Sequence, residues 1–134
     1  MTVRFARALA LASLPLAAPT PALATGEIAC ESSDGSASIA IGVGRLPILG
    51  VIGARVEVDG RVLSTDPEDT ETAIAVGQAA QIRDVIVVDF TDPQISDVLV
   101  SLRLVVAEEG EELATGGVLS LRDEAARVVA CELS

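Results

Sequence analysis

The chain has 134 residues and a formal charge of −11, from 20 acidic and 9 basic side chains, with no histidine, tryptophan or tyrosine and only two cysteines. Without histidine there is no Ser-His-Asp triad, no Cys-His nucleophile pair and no His-built zinc site. All nine basic residues are arginine, so Schiff-base and Ser-Lys chemistry are excluded as well, and an acidic chain of this kind repels nucleic acid and anionic membrane surfaces.

The first 24 residues read as a cleavable secretory signal. Arg4 and Arg7 supply a short positive region, and Ala8 to Ala18 is an apolar run too short to span a bilayer. Pro15, Pro19 and Pro21 stop any helix, and Ala22-Leu23-Ala24 is the small-x-small pattern that precedes a cut, here before Thr25. Cleavage removes two arginines and no acid, so residues 25–134 carry −13 and form one domain in a periplasmic or secreted setting. Two cysteines in an exported chain predict one disulfide, Cys30–Cys131, joining the two ends of that domain. Lipidation of Cys30 is not expected, because Glu27 interrupts the small, apolar run such a signal needs.

In chain order, the residues read as strands punctuated by turns. Glu27 to Glu31 opens the domain, and Ser36 to Val43 follows the Asp34-Gly35 turn. Val51 to Asp59 runs into Asp59-Gly60, a hairpin signal that pairs Val56 with Leu63 on a dry face and leaves Arg55, Glu57 and Ser64 on a wet one. Thr65 to Thr70 reads as a polar loop and Thr72 to Val76 as a short strand. Gln78 to Arg83 fits either a helical turn or a strand. Val85 to Phe90 is apolar on both faces except at Asp89. Ile95 to Ala107 is the longest strand, turned around by Glu108 to Glu112. Leu113 to Arg122 returns, with a bulge expected at Gly116-Gly117, and Ala126 to Glu132 closes the domain. About eight short strands predict an all-β fold, a small antiparallel β-sandwich or barrel whose terminal strands are linked by the disulfide.

Three features carry functional expectations. The segment from Gly44 to Gly50 links two strands yet is apolar, so Arg45, Leu46, Pro47, Ile48 and Leu49 either plug the core or project as a partner-binding patch. Asp66, Glu68, Asp69 and Glu71 share one loop and are candidate Ca²⁺ ligands without the spacing of an EF-hand. Carboxylates are the only acid–base groups in quantity, but a glycosidase cleft is normally lined with stacking aromatics, and the domain has one, Phe90. The expectation is therefore an exported, non-enzymatic interaction module for another envelope or secreted protein, with an inhibitor of a cationic secreted hydrolase as one concrete version. A Ca²⁺-binding structural or adhesive domain is the alternative.

Overall fold

The computed structural model describes residues 25–45 and 48–134, together with the backbone but not the side chain of Arg45. The signal-peptide reading concerns residues 1–24 and lies outside them. Ten strands form: β1 (Thr25–Ser32), β2 (Ala37–Arg45), β3 (Leu49–Val58), β4 (Arg61–Ser64), β5 (Thr72–Ala73), β6 (Ala75–Ile82), β7 (Val85–Thr91), β8 (Val98–Glu109), β9 (Glu112–Leu121) and β10 (Ala125–Leu133). They make a single sheet in the order β5-β4-β3-β2-β1-β10-β9-β8-β7-β6, curled until it nearly closes into a barrel.

Every ladder is antiparallel except the two-residue β4–β5 pairing. Most neighbours are local hairpins whose turn residues meet the backbone demand. Asp59 and Gly60 both have positive φ, 51° and 79°, as a type I′ turn requires. Gly110, at φ 64°, opens the two-residue turn between Glu109 and Glu112. The seam of the barrel falls where β5 leaves β4 and continues through Ile74 as β6, which pairs with β7. Ile74 is buried, and its N–H donates to the Ser64 carbonyl at 2.9 Å.

The one long-range ladder between consecutive sheet neighbours is β1–β10. Glu27 and Ser134 exchange both backbone hydrogen bonds, at 3.1 and 3.0 Å. Two-residue alternation then makes Cys30↔Cys131 a non-hydrogen-bonded pair, the ladder position where opposed Cα atoms approach most closely. The Cys30–Cys131 disulfide forms there, with the Cα atoms 4.0 Å apart. A disulfide is compatible with an oxidising, extracytoplasmic compartment.

Inward positions of β2, β3, β7, β8 and β9 fill the interior with aliphatics: Ile39, Ile41, Val56, Val88, Val100, Leu102, Leu104 and Leu119, around Phe90, the one ring among the described residues.

Several expectations change in detail. There are ten strands because Thr72 to Val76 is split at Ile74 and Gln78 to Ile82 is strand, part of β6, with Arg83 in the turn that follows at φ 57°. Ile95 is not in β8. It sits in the preceding turn at φ 58°, held by Asp92, whose carboxylate accepts from the backbone N–H groups of Gln94, Ser96 and Asp97. Ser64 is buried rather than wet, because the chain after it folds back: its hydroxyl donates to the Ala54 carbonyl and accepts from the Asp66 N–H. Gly116-Gly117 makes no bulge, since β9 keeps register with both neighbours through it. These glycines serve close approach instead: a Cβ on Gly117 would lie 1.8 Å from the Arg103 carbonyl oxygen of β8.

Two outcomes follow. Replacing both cysteines with alanine removes closure of a loop with sequence separation 101, and urea unfolding should show a loss of about 4 kcal/mol. Gly117→Ala should cost more than about 3 kcal/mol by the same measurement, through forced separation of β8 and β9. Gly42→Ala, whose Cβ would meet only ordinary contacts at 3.8 Å, should stay within about 1 kcal/mol.

Candidate functional site

Strict alternation on β1, β2, β3 and β10 sends Ile28, Cys30, Ile39, Ile41, Val56 and Val129 inward. The opposite parity is therefore outward, and on these strands it is occupied by small residues. Ala29 pairs with Ala40 across β1–β2, and Glu31 with Ser38 and Ala130 across β2, β1 and β10. Short side chains on three adjacent strands, β10, β1 and β2, leave a shallow, open groove of about 760 Å³, floored by Ala29, Ser38, Ala40 and Ala130 and flanked by β3. Glu31 rises between Ser38 and Ala130, Glu132 stands beside Ala29 and Glu57 beside Ser38. Arg55 is its one basic lining residue, and it already faces Glu57 and Asp69, each at 3.5 Å. These pairs are solvent-exposed and contribute little stability, so the net character of the groove stays acidic.

The groove continues toward the β2–β3 turn. The register slips at Gly42/Val43, where Ile52 and Gly53 together oppose one residue of β2. The slip reverses the side-chain direction of β3. Before it, Leu49 and Val51 pack against the core, whereas Ile52 turns out across Gly42 and Gly44 and is 65% exposed. A second depression, of about 350 Å³, shares Ala40 and Arg55 with the first and adds Glu27, Gly42, Ile52 and Gly53.

Of the apolar loop singled out in the sequence, Leu46 and Pro47 lie outside the described residues and Arg45 ends β2 as backbone. Ile48 projects, 75% exposed, and Leu49 packs against the core. The groove itself was not foreseen. Its signal was present as Ala29, Ser38, Ala40 and Ala130 at the outward positions of strands whose inward positions are Ile and Val.

The acidic loop stays dispersed. Asp66 accepts from the Glu68 N–H at 3.0 Å, Asp69 faces Arg55, and Glu68 and Glu71 point to solvent. Among the described residues no three Asp, Glu, His or Cys side chains gather as a metal-holding group.

Asp89 is the one deeply placed acid. It lies on the outer side of β7 under Arg103 of β8, which grips it with Nη1–Oδ1 at 2.6 Å and Nη2–Oδ2 at 3.1 Å. The Gln78 side-chain amide donates to the same carboxylate, from beside a slip in the β6–β7 register between Val76 and Gln78. Burial pushes this carboxyl up, but hydrogen bonds from Arg103, Gln78 and Ser101 and the Arg103 charge outweigh it, so the group is held below the ordinary carboxylate range. A carboxylate locked ionised and bidentate has no proton to give, which makes Asp89 a brace between β6, β7 and β8.

No family model, curated protein or solved structure matches the chain.

Asp89→Asn should lower stability at neutral pH by about 1 to 3 kcal/mol, a moderate cost because Arg103 is half exposed and finds water. A depressed folded-state pKa stabilises above the ordinary carboxylate range, and that contribution disappears as pH falls through the folded value. The difference between wild type and Asp89→Asn in urea unfolding should therefore shrink steadily below about pH 4.

Proposed function

We propose that this chain is an exported, non-enzymatic binding module that recognises a cationic protein in the periplasm or the surrounding medium. The observation that carries the reading is the acidic groove across β10-β1-β2-β3: short Ala and Ser side chains with Glu31, Glu57 and Glu132 rising among them. The short side chains between the glutamates admit close approach of a partner's extended segment. The glutamates favour arginine or lysine on that segment, and the −13 charge of residues 25–134 steers the encounter from a distance. Ile52, and beyond it Ile48, would supply apolar contact at the groove's end, so charge guides the partner and buried area holds it. The groove's hydroxyls and carboxylates have no histidine or lysine to activate them, and binding accounts for it better than turnover does. An inhibitor of a cationic secreted hydrolase such as a lysozyme is the concrete version with the simplest assay.

The test is affinity capture from an envelope extract together with titration against a cationic lysozyme. Three baits are compared: wild type, Glu31→Gln/Glu57→Gln/Glu132→Gln, and Ile48→Asp/Ile52→Asp. A basic protein held by wild type, lost from the folded glutamine variant and weakened at least about tenfold by raised salt is the expected result. Retention indifferent to both variants and to salt would remove the groove from consideration.

A further inference from the structure

The groove is not uniform. Across β10, β1, β2 and β3 one outward rung reads Glu132, Ala29, Ala40 and Arg55, and the rung on one side of it reads Ala130, Glu31, Ser38 and Glu57. On the other side Glu27 of β1 pairs with Gly42 of β2. Ala29 therefore has Glu31 and Glu27 two residues away in either direction along β1. Glu132 faces it from β10, and the methyl group of Ala40 faces it from β2.

Three glutamates thus surround one alanine inside a depression that is already open to solvent. Among the described residues no arginine is paired with any of the three, whereas Glu57, the other acid of the groove, faces Arg55. Like charges grouped on a sheet cost stability. The Glu31 carboxylate leans away toward the Gly35 turn, the direction that mutual repulsion favours, and it is exposed and free to swing back.

We propose that Ala29 is the floor of a seat for one arginine of the partner, with Glu27, Glu31 and Glu132 as acceptors and lysine a poor substitute. The inference rests on the groove being the binding site. Glu27 and Glu31 stand about 13 Å apart along the strand. A lysine ammonium is a single nitrogen, and to serve three carboxylates it must draw them to one point against their own repulsion. A guanidinium spreads five donors over a plane, so it meets carboxylates on three sides while keeping them apart. It also lies flat, and only a methyl group stands beneath it at Ala29. The arginine stem passes over Ala40, beside Ser38 and Gly42 on β2, where no long side chain obstructs it. Arg55 stands on the fourth side and repels a cationic head placed there, which directs the guanidinium to Glu132.

Fluorescence anisotropy of labelled hexa-arginine and hexa-lysine with the disulfide-intact protein tests this. Wild type should bind hexa-arginine at least about tenfold more tightly than hexa-lysine. Ala29→Leu keeps every charge but fills the seat, and it should erase that difference. Ala126→Leu, at an exposed position of β10 outside the groove, should leave it intact. Glu132→Gln is an independent second variant and should weaken hexa-arginine more than Glu57→Gln does, since Glu132 borders Ala29 and Glu57 does not. Melting curves confirm that each variant is folded. Equal affinity for the two peptides overturns the seat, and so does a preference that survives both Ala29→Leu and Glu132→Gln. In either case the groove itself stands if Glu31→Gln/Glu57→Gln/Glu132→Gln releases both peptides. Peptides that bind wild type and that triple variant alike, or bind neither, remove groove and seat together.

Discussion

Everything in this fold depends on the pairing of its first and last strands. The chain builds two runs of neighbouring strands, β1 to β5 and β6 to β10, and nearly every ladder within them closes over a short turn. Only β1–β10 joins residues about a hundred positions apart, and it does so at the middle of the sheet. Loop-closure entropy makes that the costliest contact to form, and the Cys30–Cys131 bond removes the same entropy from the unfolded chain. The bond also sits at a non-hydrogen-bonded pair, so it fixes the ladder register that sends Ile28, Cys30 and Val129 inward and Ala29, Glu31 and Ala130 outward. A slip by one residue would turn the groove into core and the core into surface. The groove's existence and the disulfide's position are the same fact seen from two sides of the sheet.

The interior compensates for its lack of large side chains by closeness. With Phe90 as the single buried ring, apolar burial comes from many Val, Ile and Leu side chains of similar size, which pack well only if the strands curl tightly around them. Gly117 permits that curl where β9 meets β8, and Gly77 permits it at the slip beside β7, where a Cβ would lie 2.8 Å from Thr91 Cγ2. The Asp89–Arg103–Gln78 cluster braces the same three strands from outside. Polar bracing outside and aliphatic packing inside therefore act on one bend.

Much of this was legible in the residues. The Asp59-Gly60 turn fixed the pairing of Val56 with Leu63, because two consecutive positive φ values leave the backbone few alternatives and Asp-Gly supplies both. Val100, Leu102 and Leu104 alternate cleanly and are all buried. Legibility failed where a residue's direction depends on a distant strand. Ile52 reads as core by alternation and is turned outward by a slip against Gly42. Ser64 reads as surface and is covered by a loop that folds back over it. Gly116-Gly117 advertises a bulge in sequence, but its purpose is contact with Arg103 of β8, which no local pattern encodes. Ile95 reads as the start of the strand that follows it, yet Asp92 pulls the backbone into a tight turn. The groove eluded sequence reading for a related reason: alanine at outward positions is unremarkable one strand at a time, and becomes a feature only when β10, β1 and β2 lie side by side.

Charge is the property by which the two halves of the outer surface differ. If acidity served only to keep the protein in solution, carboxylates would be spread over all outward strand positions, because solubility depends on the total and not on placement. They are not so spread. Apart from Glu108, Glu109 and Glu112 at the β8–β9 hairpin tip, the outer side of β6 to β9 holds one neutralised pair, while β1, β3 and β10 carry Glu27, Glu31, Glu57 and Glu132 around a floor of alanine. An even distribution would have diluted the field over the groove. Segregation does the reverse: it concentrates negative potential where side chains are shortest.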